Sequence, residues 1–169
     1  GFTDVLLDAG AARVVAVDVG RGQLDWRLRT DARVTVMDGV NARYLSPDDL
    51  PPDARAFGII TIDVSFISLR LILPAARACL GPGGAIVALV KPQFEAGREA
   101  VGRGGIVRDP VVHEAVVGDT RRFALQIGLD PIDVVASPVT GAEGNREFLM
   151  LLRHSTTPPP PAADPAPGS

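Results

Sequence analysis

The sequence has one lysine, one cysteine, one tryptophan, one tyrosine and two histidines in 169 residues. A solitary Cys79 excludes an internal disulfide framework, and its place in the helical stretch Leu71–Leu80 marks it as a small core residue. His113 and His154 are far apart and no cysteine joins them, so no metal is expected. No apolar run approaches the ~20 residues that cross a bilayer, and no secretory signal pattern is present, so the expectation is a cytoplasmic protein with no membrane partner. A net charge of −3 excludes a global pull toward nucleic acid. A nucleic-acid partner would have to be met by a local arginine patch or by another domain.

What is present is a chain 46% hydrophobic and 22% charged, enough to bury one sizeable core. From Ser155 the run Ser-Thr-Thr-Pro-Pro-Pro-Pro-Ala-Ala-Asp-Pro-Ala-Pro-Gly-Ser is too polar to fold. The expected division is a domain over 1–153 and a solvated, partly polyproline tail over 154–169.

Within the domain, apolar strands alternate with amphipathic helices. Strands are expected at Arg13–Val17, Val34–Met37, Gly58–Ile62, Ala85–Val90, Asp133–Ala136 and Glu147–Leu152. Helices are expected at Phe2–Ala9, Gly22–Arg29, Leu69–Leu80 and Pro110–Ile127. Alternation of this kind implies βαβ units and a mainly parallel α/β sheet. The short Ser137–Arg146 connection cannot hold a crossover helix, so the last two strands should form an antiparallel hairpin. That is the shape of a Rossmann-like methyltransferase. The chain opens on a helix with a glycine stop, followed by what would be the second strand of such a sheet. The expectation is therefore a missing central first strand, and a longer protein from which this chain comes.

The single lysine lies in Val90-Lys91-Pro92-Gln93-Phe94-Glu95, directly after the buried-looking strand. Every other basic residue is arginine, so a compact ammonium with rotatable donors is singled out here. Its position at a strand's carboxyl end is where open α/β sheets bind ligands. Three further segments end strands in the same way. Asp18, in Val17-Asp18-Val19-Gly20-Arg21-Gly22, either accepts from a ribose diol or caps the next helix. Asp38-Gly39-Val40-Asn41 either holds a nucleobase edge or is a plain turn. Asp63, in Asp63-Val64-Ser65-Phe66-Ile67-Ser68-Leu69, is free for a ligand because Ser65 or Ser68 can cap the helix that follows. Asp63 and Lys91 should form an ion pair across the crevice mouth, with Glu147 approaching Lys91 from the other side.

These segments, together with Gly144-Asn145-Arg146-Glu147, resemble the TlyA (haemolysin A-like) family of ribosomal RNA 2′-O-methyltransferases, whose catalytic domain is FtsJ-like. The likeness covers Gly1 to about Arg153, and Leu89-Val90-Lys91-Pro92-Gln93-Phe94-Glu95 is its most specific part. The resemblance implies S-adenosyl-L-methionine (AdoMet) as cofactor and ribosomal RNA in ribosomal subunits as partner. Of the family's Lys-Asp-Lys-Glu tetrad it puts the last three on Asp63, Lys91 and Glu147. The first lysine, the glycine-rich strand and an S4-like RNA-binding domain would lie before Gly1, itself the end of the AdoMet loop. AdoMet contacts are then expected from Gly1, Asp18, Val19, Gly20, Asp38, Gly39, Asn41 and Asp63.

The implied chemistry is physically consistent. A ribose hydroxyl is a poor nucleophile until its anion is stabilised or its proton removed, and an ammonium does the first where a neutral amine does the second. RNA contacts are expected from Arg98, Arg103 and Arg108 on the glycine-rich, mobile-looking loop after Lys91. Three other readings compete: a nicotinamide dehydrogenase, a membrane-active haemolysin, and an inactive AdoMet- or RNA-binding fragment.

Overall fold

The computed structural model describes residues 1–141 and 144–156. The expected proline-rich tail falls, from 157 onward, outside the described residues. Helix α1 (Phe2–Asp8) leads through Gly10, at φ 89°, into strand β1 (Val14–Asp18). A short α2 (Trp26–Arg29) then precedes β2 (Val34–Asp38) and β3 (Phe57–Ile62). Helix α3 (Leu73–Cys79) runs directly into the long β4 (Leu80–Val90), followed by the single turn α4 (Pro92–Glu95). The main helix α5 (Pro110–Gln126) and the pair β5 (Leu129–Ala136) and β6 (Phe148–His154) complete the chain.

Local chemistry accounts for the boundaries. Asp109 caps α5 by accepting from Val111 N at 2.9 Å, Pro110 occupies the first helical position, and Gly128 at φ 75° ends the helix. The buried face of α5, His113, Val116, Thr120 and Ala124, keeps helical spacing. The helix expected over Gly22–Arg29 is confined to its last turn. Gly22 takes φ 69°, and Asp25 is the cap, accepting from Arg27 N at 2.9 Å. The helix expected over Leu69–Leu80 splits into a 3₁₀ turn (Leu69–Leu71) and α3, because Pro74 can only open a helix. Leu80 already belongs to β4. His154, expected in the tail, closes β6 opposite Leu129, and its Nε2 lies 3.1 Å from the Leu80 carbonyl.

The strands form two sheets. In one, β1 and β2 pair in parallel, with Asp18 opposite Asp38. In the other the order is β3-β4-β6-β5, with β3 and β4 parallel and β6 antiparallel to both neighbours. The expected antiparallel hairpin is thus present, with β6 inserted beside β4. Alternate residues of the central β4 (Ile86, Ala88, Val90) are fully buried against Leu73, Leu129, Met150 and Leu152. Each of the larger side chains, Ala88 aside, stabilises the fold by about 1.5–3 kcal/mol. The facing edges of β1 and β3 share no ladder, and a cleft of about 550 Å³ runs between them. Asp18, Asp38 and Asp63, each at a strand's carboxyl end, line this cleft and form its rim, and Lys91 ends the strand paired with that of Asp63.

Candidate active site

Pro92 sets the direction of Lys91. A residue before proline is confined to extended backbone, and Lys91 sits at φ −111°, ψ 101°. Its ammonium reaches across to β3, 2.7 Å from Asp63 Oδ1, and donates to Ser65 Oγ at 3.2 Å. The Lys91 side chain is 13% exposed while that of Asp63 is 52% exposed. The pair therefore closes the inner side of a site whose carboxylate faces solvent. Asp63 caps nothing. Ser68 takes that role for the following turn, accepting from Arg70 N at 3.2 Å.

Glu95, at the end of the lysine hexapeptide, clamps this loop. Its Oε1 accepts from Leu69 N at 2.7 Å and its Oε2 from Ser68 Oγ at 2.6 Å. Burial pushes the Glu95 carboxyl up from its ordinary range, against the opposing effect of those two hydrogen bonds. Between Asp63 and the clamp lies Phe66, a bulky residue at φ 63° whose ring is 90% exposed and 4.9 Å from that of Phe94. An aromatic residue in left-handed backbone is strained, and nothing in its own burial offsets the cost.

Glu147 lies one register step beyond the Val90–Phe148 pair, opposite Lys91. It precedes β6 rather than opening it, and it does not bracket the ammonium. The described ion pair of Lys91 is with Asp63, whereas Glu147, 6% exposed, accepts from Gln93 Nε2 at 3.0 Å. The reason is steric order along the hexapeptide: the turn of α4 folds Gln93 back over the β6 side and leaves Lys91 leaning toward β3. The other amide atom, Gln93 Oε1, is buried with no hydrogen-bond partner among the described residues.

The cleft beside this cluster is lined by Gly1, Asp18, Asp25, Asp38 and Asp63, with Leu24, Leu28 and Val64 as apolar wall. Val19, Gly20, Gly39 and Asn41 do not line it. Their backbone and side chains zip the two rim loops together. Gly39 N donates to Gly20 O at 3.0 Å, Val40 N to Asp18 O at 3.0 Å, and Asn41 caps a 3₁₀ turn through Arg43 N. Asp38 is likewise drawn into the frame. Arg29 Nη1 donates to it at 2.9 Å and Gly22 N at 3.1 Å, and chiefly the arginine holds its carboxyl below the usual range. Asp18 binds Gly20 N at 2.7 Å through Oδ1 alone, leaving Oδ2 without a partner among the described residues. Four carboxylates on one apolar-walled cleft suit a ligand that carries positive charge and a diol.

The FtsJ-like methyltransferase family matches residues 1–154. This chain is a member of that family. It is 53% identical over 152 residues to an rRNA methyltransferase candidate of Bacillus subtilis, YqxC, covering 90% of this chain and 53% of that one. It is 47% identical over 156 residues to the 16S/23S rRNA (cytidine-2′-O)-methyltransferase TlyA of Mycobacterium tuberculosis, covering 92% of this chain and 57% of that one. A solved candidate hemolysin from Streptococcus thermophilus superposes with a TM-score of 0.88 at 49% identity, covering 93% of this chain and 56% of that one. The chain thus spans little more than half the length of the curated relatives it matches. Its sheet is the Rossmann-like one of AdoMet-dependent methyltransferases.

In this FtsJ-like domain Arg98, Arg103 and Arg108 are all exposed and none makes an ion pair among the described residues. The loop that carries them is anchored rather than loose. Asn145 accepts from Val107 N at 3.0 Å and donates to Gly105 O at 3.0 Å. No helix among the described residues is long and apolar enough to cross a membrane. No group of three or more metal-ligating side chains occurs among them. Sequence reasoning missed Ser65, Phe66, Gln93 and Glu95 as parts of the site. All four lie inside motifs it singled out, but their partners are brought in only by folding.

Proposed function

We propose that this chain is the catalytic part of an AdoMet-dependent methyltransferase acting on ribose 2′-hydroxyls of ribosomal RNA, on cytidine as in the M. tuberculosis relative. The observation that carries the reading is the Lys91–Asp63 ion pair at the mouth of an acidic cleft, with an exposed aromatic ring beside it. Bound AdoMet supplies an electrophilic methyl group. Asp18, whose Oδ2 has no partner among the described residues, would hold its ribose diol, and the carboxylates of the cleft would favour its positive charge.

Lys91 donates a hydrogen bond to the substrate 2′-oxygen and stabilises negative charge as it develops there, while the 2′-hydroxyl proton passes to solvent beside the half-exposed Asp63 carboxylate. Asp63 and Ser65 fix the ammonium in place, so no reorganisation is needed during the reaction. Glu147, held by Gln93, lies next to Lys91 across the β4–β6 register. Phe66 offers its ring to a base splayed out of the RNA, which places the attached ribose over Lys91.

The test is transfer of radiolabelled methyl from AdoMet to unmodified ribosomal subunits by the intact protein, followed by alkaline hydrolysis of the RNA. A 2′-O-methyl group removes the nucleophile that alkali needs, so label is expected in alkali-resistant dinucleotides. Label recovered only in mononucleotides would mean that a base is the acceptor, and this reading would be wrong.

A further inference from the structure

On the far side of Glu147 a second, open cavity of about 340 Å³ is lined by Ile106, Val107, Arg108, Pro110, His113, Gly144 and Arg146. Two arginines from separate segments meet there, and neither has an ion-pair partner among the described residues. Each follows a buried anchor. Arg108 follows Val107, whose N–H donates to Asn145 Oδ1 at 3.0 Å and whose carbonyl faces His113 Nε2 at 2.9 Å. Arg146 follows that same Asn145, which is 3% exposed, and its guanidinium lies 5.8 Å from the Phe148 ring centroid. One buried asparagine therefore ties together the two backbone segments that carry these cations. The nearby helix start is not the determinant, since Asp109 already caps α5 and does not line the cavity.

We infer that Arg108 and Arg146 form a preorganised phosphodiester site that grips the RNA backbone next to the nucleotide held at Lys91. Guanidinium forks match phosphate oxygens bidentately, and among the described residues no carboxylate pairs with either fork. The inference rests on the RNA reading above and extends it. Arg146 directly precedes Glu147, so a phosphate held there positions the strand relative to the catalytic cluster. Asn145 is a positioning residue, acting through both arginines.

The experiment compares Arg108→Gln, Arg146→Gln, the double variant and the double Lys variant in the intact protein. Binding of an unmodified ribosomal RNA transcript is measured across a salt series, alongside AdoMet binding. Each Gln variant should weaken RNA binding about tenfold at low salt. The double variant should lower the slope of log K against log salt by about one phosphate contact rather than two, since both arginines hold one group. The double Lys variant should keep the parent's slope and lose affinity through lost fork geometry, and AdoMet affinity should stay unchanged throughout. If the parent protein binds RNA and the double Gln variant binds it equally well with the same slope, the phosphate site is overturned alone. A parent protein that binds no RNA overturns the site and the functional reading together.

Discussion

Replacing Phe66 tests whether its ring is kept for function rather than for folding. Left-handed backbone costs a bulky residue about 1–2 kcal/mol, a cost that asparagine largely avoids. Phe66→Asn also loses the contact with Phe94, worth about 0.5 kcal/mol for a ring 90% exposed, at the low end for aromatic pairs. The net expectation is a gain of about 0.5–1.5 kcal/mol. Phe66→Leu keeps the strain and loses the pair, so it should be slightly less stable than the parent. Urea denaturation of the intact proteins should thus rank Asn above Phe and Phe above Leu, with unchanged m values. Hydrophobicity alone predicts the reverse for the two variants. Methyl transfer should fall in both variants, by roughly 5- to 150-fold in kcat/KM if one stacked base is lost. A leucine variant as stable as the asparagine one would refute the strain argument. Undiminished kcat/KM in a folded Phe66→Asn protein would refute the stacking role.

Lys91→Met should cut methyl transfer at least about a hundredfold, the cost of one oxyanion donor, with AdoMet affinity within a few-fold by calorimetry. Lys91→Arg should fail too, because a planar fork cannot take the place of a point donor between Asp63 and Ser65, and full activity there would remove Lys91 from the mechanism. Asp18→Ala should weaken AdoMet binding by about 1.5–3 kcal/mol, and an unchanged affinity in a folded variant would limit Asp18 to its turn with Gly20. The fourth prediction concerns pH. Burial raises the Glu95 carboxyl above its unfolded value, so its contribution is fully present below the ordinary glutamate range and is lost as pH rises through the raised value. Glu95→Gln can still accept from Leu69 N, so its stability relative to the parent should grow from about pH 4 toward neutrality; a flat difference in urea melts across that range would sink the argument.

Strand ends were legible in the sequence because the chain marks them chemically. Asp18, Asp38, Asp63 and Lys91 each follow an apolar run; folding brings the three aspartates to one cleft and Lys91 to Asp63. Pairing of Asp63 with Lys91 followed from neighbouring parallel strands and is present at 2.7 Å. What composition could not convey was competition among polar partners. Asp38 has the same local context as Asp18, yet Arg29 and Gly22 claim it, whereas Asp18 keeps a free oxygen. Glu147 has a nearer donor in Gln93 than in Lys91, a choice made by the turn at Pro92 and invisible to spacing. The arginine loop read as mobile from its glycines. Asn145, remote in sequence, and His113, on the helix that follows, supply the anchors that the loop itself lacks.

The cleft between β1 and β3 has a thermodynamic consequence. Among the described residues β1 and β3 share no ladder, so the β1–β2 pair and the β3–β6 sheet form the two halves of its wall. The candidate cofactor residues are split between the halves, Asp18 on one and Asp63 on the other. A ligand that touches both acts as a staple. Its binding energy should therefore appear as slowed hydrogen exchange in β1 and β2, far more than in β4, whose protection is already set by its own core.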